Sequence, residues 1–398
     1  MVIDSSMNPL EQRRSNARNA TTIVDVRGRA LRVAIAEPVR LSFGTLDHRF
    51  VVLIEIELAN GVIGIGESWV NWPAWAAYER LVAYEHGLRS RLLGRDAGCI
   101  SLLRQELVAE LQPGARQAGA LGPLLQAISG VDLALWDALG KTKGMSVAGV
   151  HGQIRDSVPV YASSIGPGPD LDRSCEYVIE AGFIALKLRV GFGRDTDRDV
   201  IRRVRRNVGG NFDIIADANR AWTLEEAIQT GRMLADHGIE LVEEPLTRSD
   251  LKSLEQFHSE TGLGVAVGEN LYDSSQFAAV LGLEGIGAIQ PDVTKCGGFS
   301  LAHQVAEMAA SSGVAVMPHC YGGPLGFLAS LHLMATMDVE GSVEYPFGPS
   351  VPFWKMIGSP PQIRDGRVDV PTGSGFGFRP DRDWISAATV AQIPSGSG

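Results

Sequence analysis

Ile184-Ala185-Leu186-Lys187-Leu188-Arg189, Phe212-Asp213-Ile214-Ile215-Ala216-Asp217 and Leu241-Val242-Glu243 are short apolar runs, each ending on charged residues. Val265-Ala266-Val267-Gly268-Glu269, Ile286-Gly287-Ala288-Ile289-Gln290-Pro291-Asp292, Val314-Ala315-Val316-Met317-Pro318-His319 and Val343-Glu344 continue the series. The polar ends recur at 217−187=30, 243−217=26, 269−243=26, 292−269=23, 319−292=27 and 344−319=25 residues. A strand, a loop, a helix and a return loop need about that length, since an eight-unit (β/α) barrel takes roughly 250 residues. Such barrels keep their chemistry at the C-terminal strand tips. The stretch predicts an α/β fold: a TIM-like (β/α) barrel over residues 141–345, opened by a strand at 158–164.

Helices fit between the runs at 170–182, 195–208, 223–238, 250–262, 273–283, 298–312 and 325–337. Thr223, with Glu226 three residues on, reads as a capping box. Upstream, residues 23–140 read as an α+β capping domain. Strand-like segments surround Asn60-Gly61, a strong hairpin signal, and predict a three-stranded antiparallel meander. Leu41–Arg49 reads as the loop between its first two strands. Helices are expected at 75–93, 99–111 and 119–140, with Pro113-Gly114 as a break. Asp132 and Asp137 in the last of these read as structural acids at a domain contact. Residues 346–398, rich in Gly and Pro, read as a segment returning to the capping domain, and 1–22 as a flexible tail.

The 398 residues are 45% hydrophobic and 21% charged, with a net charge of −10, as in an ordinary globular protein. That charge disfavours nucleic acid and membrane surfaces as partners, both of which call for a basic patch. No apolar run reaches the roughly 18 residues of a membrane span. The N-terminus shows no apolar core of a secretory signal, and the four cysteines show no CxxC spacing. A cytoplasmic protein with reduced thiols is expected.

Asp217, Glu243 and Glu269 end three consecutive runs. Adjacent strands lie about 4.8 Å apart, so the three carboxylates can converge. Converging acids repel one another, and a hard dication removes the conflict: Mg2+ first, Mn2+ next. Glu244 should face away from Glu243, by strand alternation. Lys187 and Arg189, two apart, face the same side and suit a small anionic carboxylate substrate, or else balance the barrel acids. Asp292 and His319 occupy the next tips, where an acid fixing one ring nitrogen makes the other a base. Asn219 and Glu344 are candidates for holding substrate or for structural roles. Trp69, Trp72 and Trp75 either form an apolar lid or pack between domains.

At these residues the chain resembles the mandelate racemase group of the enolase superfamily. The motifs are Lys187-Leu188-Arg189, Asp217-Ala218-Asn219, Val242-Glu243-Glu244-Pro245, Gly268-Glu269-Asn270, Gln290-Pro291-Asp292, Pro318-His319 and Val343-Glu344. The resemblance implies Mg2+ on Asp217, Glu243 and Glu269, and removal of the proton alpha to a substrate carboxylate with the enolate held by the metal, a scheme general to this superfamily. It implies an Asp292–His319 dyad, homo-oligomers (dimers or octamers), and specificity loops near Leu41–Arg49 and Trp69–Trp75. There His48 and Arg49 are substrate-binding candidates. One position departs from the group: where a second Lys usually serves as a base, Arg189 stands. A guanidinium stays protonated. With His319 the one evident base, dehydration of a sugar acid to a 2-keto-3-deoxy acid is expected ahead of racemisation, epimerisation or cycloisomerisation.

Overall fold

The computed structural model describes residues 20–41, 44–71, 73–247, 250–348 and 351–393. Most of the expected tail, Trp72 and the last five residues lie outside them.

β1 (Ile23–Leu41), β2 (Gly44–Leu58) and β3 (Ile63–Ser68) form the antiparallel meander. Gly61, at φ 81°, supplies the left-handed turn that the Asn60-Gly61 pair signalled. The expected loop at Leu41–Arg49 is instead mostly strand: β1 and β2 stay paired out to Leu41 and Gly44. The ladder survives because an irregularity between Ala34 and Val39 absorbs Pro38, which has no N–H to donate. Polar residues there alternate across a hairpin instead of marking a loop.

The helix Leu121–Lys143 packs on β3 at very close range. A Cβ on Gly64 or Gly66 would lie 2.0 Å from the Ala134 carbonyl or 2.1 Å from that of Gly130, so only glycine fits. The same helix links the two halves of the molecule, as its acids suggested. Asp137 accepts from the backbone N–H groups of Ile65 (2.8 Å) and Phe376 (3.0 Å). Asp132 accepts from the Ser300 N–H (3.0 Å) and hydroxyl (2.6 Å). The helix Ile100–Gln117 runs through Pro113, where a break was expected. Pro113 and Ala109, whose carbonyl loses its donor, are both exposed, so solvent can take the missing bond.

β4 (Ser157–Ile165), β5 (Ala185–Arg189), β6 (Asp213–Asp217), β7 (Leu241–Glu243), β8 (Gly264–Val267), β9 (Ile286–Ile289) and β10 (Ala315–Val316) are parallel neighbours in chain order. β11 (Val343–Pro346) pairs in parallel with β4 and brings the sheet back on itself. Single backbone bonds, Val316 N–H to Glu340 (2.9 Å) and Glu344 N–H to Pro318 (3.4 Å), span the remaining gap. Each interval between successive barrel strands holds one helix, and Thr223 caps its helix with the expected Glu226 box. Tyr161, Ile215, Ala266, Ala288 and Met317 fill the barrel's inside, so it is a packed core and not a pore. β12 (Ile363–Arg364) and β13 (Arg367–Asp369) form a hairpin against β4, and β14 (Thr389–Ile393) adds to the edge of β1. No helix among the described residues is long and apolar enough to cross a membrane.

One buried histidine makes the fold acid-sensitive. His332 is fully buried, and its Nδ1 accepts from the Ala148 N–H at 3.2 Å, so the ring is held neutral. Burial pushes it down to about 4, below its unfolded value near 6.5. The unfolded chain thus binds the proton first. The ring's contribution is complete above pH 6.5 and is lost as pH falls toward 4, a loss on the order of 3 kcal/mol. His332→Gln is expected to flatten the melting temperature between pH 7 and 4.5; a curve as steep as wild type would remove this ring as the cause. His151, also lowered to about 4 by burial, carries part of the remaining slope.

Candidate active site

The tips of the barrel strands open into a cavity of about 900 Å3. Lys187, Arg189, Asp217, Asn219, Glu269, His319 and Glu344 all line it. Parallel register explains the convergence: Arg189 is level with Asp217, and Asp217 with Glu243. Glu243 and Asp292 sit one layer behind and bond to residues that do line the cavity.

Lys187 is the hub of the acidic side. Its Nζ donates to Glu243 Oε1 at 2.8 Å, lies 2.9 Å from Glu344 Oε1, and stands 3.8 Å from Asp217. The other Glu243 oxygen accepts from Gln290 at 2.6 Å. Burial drives Glu243 up to about 8 and raises Asp217, although Lys187 pulls both the other way. Burial also opposes ionisation of Glu269, but His319 and Lys295 outweigh it and hold Glu269 well below the usual carboxylate range. Among the described residues, no three His, Cys, Asp or Glu side chains stand in a ready-made metal cluster. The acids turn to Lys187, Gln290, Asn270 and His319 instead. The donor set still fits a hard dication: burial leaves two of the three carboxylates on adjacent strands, Asp217 and Glu243, raised despite Lys187, and all their donors are oxygens.

Glu244 departs from the expected alternation. β7 ends at Glu243, and Glu244 takes φ 40°, which carries its side chain onto the cavity wall, where it accepts from Asn270 at 2.8 Å. Asn219 (φ 44°) and Arg220 (φ 62°) share that left-handed strain one strand away. Such strain gathers at sites where neighbouring structure dictates side-chain aim. Gly268 has φ 147°, and a Cβ there would lie 2.6 Å from the Gln290 nitrogen. The β8 tip can therefore bring Glu269 close only with glycine before it.

On the opposite wall, Asp292 Oδ2 lies 2.7 Å from His319 Nδ1. Its Oδ1 accepts from the Thr294 N–H (2.8 Å) and hydroxyl (2.6 Å), so the carboxylate is fixed and fixes the ring. Nε2 is left to the cavity, 2.8 Å from Glu269 Oε2. Burial lowers the imidazole pKa, but Glu269, Glu344 and Asp292 overcome it and raise it well above the usual value.

The capping-domain candidates divide. Leu46, Trp69 and Asn71 reach the cavity. Trp75 is exposed and does not line it, so Trp69 and Trp75 do not act as one lid. His48 faces Arg32 (3.0 Å) and Asp47 (3.1 Å) and does not line the cavity. Arg49 is fully buried, and it donates to the Tyr321 and Gly322 carbonyls. Neither of these two lines the cavity.

Several site residues were not singled out from sequence. Lys295 lines the cavity, with Nζ 4.6 Å from the Trp69 ring and 3.1 Å from Asn270 Oδ1. Glu67, at the end of β3, accepts from the N–H groups of Gly323, Leu325 (3.1 Å) and Gly326 (3.3 Å), tying the cap to the loop that follows His319. Tyr321 was signalled only by lying two residues beyond His319. Cys320 points toward the Ser330 hydroxyl.

A capped, parallel barrel with carboxylates, a lysine and an Asp–His pair at its strand tips defines a barrel enzyme built for proton transfer. The chain belongs to the mandelate racemase and muconate lactonizing enzyme group of the enolase superfamily. Residues 23–152 match the mandelate racemase / muconate lactonizing enzyme N-terminal domain, and residues 170–384 the enolase C-terminal domain-like family. It is 31% identical over 379 residues to a D-galactarolactone cycloisomerase of Agrobacterium fabrum, covering 92% of this chain and 98% of that one. An L-talarate/galactarate dehydratase of Salmonella typhimurium is 30% identical, covering 82% and 80%. A racemase from Streptomyces coelicolor, solved with bound magnesium, superposes with a TM-score of 0.84 at 26% identity, covering 92% and 100%.

Proposed function

We propose that this chain removes the proton alpha to the carboxylate of a sugar acid and expels the β oxygen, giving a 2-keto-3-deoxy acid. Asp217, Glu243 and Glu269 would hold Mg2+, or Mn2+ next. When bound, the dication supplies positive charge where the substrate carboxylate gains electron density. Lys187, already shared among buried acids, adds a fixed cation on the same side. With Glu269 turned to the metal, the carboxylate that holds Nε2 protonated is withdrawn; His319 then takes the α proton on Nε2, while Asp292 holds Nδ1 and so fixes the tautomer. Trp69 and Leu46 help to keep water from the cavity mouth.

The observation that carries this reading is Arg189. Its guanidinium, whose ionisation burial opposes but Tyr321 and Asp217 favour, is held above even its ordinary value. It cannot serve as the second base that inversion at the α carbon requires. A cycloisomerase is the second reading, supported by the 31% identity to the D-galactarolactone enzyme. The chemistry is shared: if the leaving oxygen is tethered in a ring, the same elimination opens the ring without losing water. The test is a panel of galactarate, L-talarate and D-galactarolactone, with Mg2+ and again with EDTA. Formation of a keto acid only with the metal is expected. α-Proton exchange with inversion and no keto product would defeat the elimination.

A further inference from the structure

The loop after β10 carries a side chain that the mechanism above leaves unused. Tyr321 lines the same cavity as His319. Its ring faces two guanidiniums from different domains: the Arg49 carbon is 4.3 Å from the ring centroid and that of Arg189 is 5.5 Å away. Arg189 Nη2 also donates to the phenol oxygen at 3.1 Å. The backbone is pinned too, since the Tyr321 carbonyl accepts from Arg49 and from Asn71 Nδ2 at 3.0 Å. The phenol is therefore built in and does not lie at the site by chance. Arg189 takes one acceptor position on the oxygen, and the phenol's own hydrogen has no acceptor among the described residues. Arg189 belongs to β5, and β11 and β4 stand between β5 and β10. The hydroxyl thus lies toward the β5 wall, across from the His319 side.

We propose that Tyr321 is the second acid–base residue of this site, donating its phenolic proton to the oxygen that leaves the β carbon. The proposal rests on the elimination reading above. His319 Nε2 takes the α proton reversibly to leave an enolate, whose electron pair then forms the Cα–Cβ double bond as the Cβ–O bond breaks. The Tyr321 O–H bond supplies the proton that turns the departing oxygen into water, or into a carboxylic acid where the leaving oxygen belongs to a lactone. His319 ends cationic and Tyr321 ends as phenolate; one proton passed from the first to the second through solvent restores both. The charges facing the phenol suit this. Burial raises its pKa and Glu344 adds to that, but Arg189 and Arg49 outweigh both and hold it below the ordinary tyrosine value.

Tyr321→Phe, assayed with galactarate and D-galactarolactone in D2O with Mg2+, is expected to keep α-proton exchange within a few-fold. Keto acid formation should drop about 100-fold, in the range for loss of a general acid, and the alkaline limb of its pH–rate profile should vanish. Elimination at the wild-type rate would overturn the assignment. So would an equal loss of exchange and elimination, the mark of a structural role. His319→Asn run alongside separates the two claims, because retained exchange in that variant removes His319 as the base, whereas the Tyr321→Phe result alone judges the general acid. A readout without substrate is the ultraviolet difference titration of wild type against Tyr321→Phe. A phenolate ionising below pH 10 should appear in wild type alone and move upward in Arg189→Gln; identical titrations in that range would contradict the proposal.

Discussion

His319→Asn is expected to lower turnover by at least about 1,000-fold while metal binding is retained. A positioned general base contributes about 100- to 10,000-fold, and no other side chain in the cavity is paired to act as an imidazole does. Asn can still donate to Asp292 Oδ2, now 2.7 Å from Nδ1, so the local fold should hold. Asp292→Asn should fall less far, because the base survives and only its tautomer control is lost. Keto acid formation and Mg2+ titration on the same samples check both variants. Loss of metal binding in His319→Asn would mean that the imidazole acts on the acid triad and not on the substrate.

The second large effect concerns the acids. Glu243→Gln is expected to weaken Mg2+ binding by at least 100-fold and to remove turnover with it, since one of three charged oxygen donors becomes a neutral amide. Calorimetric titration reads the affinity. Stability gives an independent check. Without added metal, the folded Glu243 is raised to about 8, mainly by burial, above an unfolded value near 4.5. A carboxylate raised in this way favours the fold below pH 4.5 and loses that contribution as pH climbs through 8. At pH 8 and without metal, Glu243→Gln should therefore melt no lower than wild type. A marked drop would show that Glu243 serves the fold through Lys187 and Gln290, and that its place at the site is incidental.

The barrel was legible because its period is physical. Each unit needs a strand, a helix and two loops, so the acids at 217, 243 and 269 announced the architecture and their place on neighbouring strand tips. The Asp292–His319 pair was legible for the same reason, as neighbouring tips must meet. The side chains placed by irregular backbone were not legible. Glu244 reaches the cavity through a left-handed residue just past the end of β7, where alternation no longer applies. His48 and Arg49 looked like loop residues because their polarity hid a paired strand, and neither lines the cavity. Tyr321 depends on a loop pinned from the cap by Arg49, Asn71 and Glu67, contacts that span more than 200 residues of sequence. No local pattern encodes such a contact. Arg189 was visible from the start as the departure from its group; its partner was not. The structure supplies that partner in Tyr321, and the missing second lysine becomes an arginine–phenol pair.

The most direct measurement of the central claim is proton NMR of galactarate, L-talarate and D-galactarolactone in D2O with the wild-type protein and Mg2+. The expected result is a keto acid signal from one of them, absent with EDTA and absent with His319→Asn. Product formation that persists without the metal or without the imidazole would contradict it.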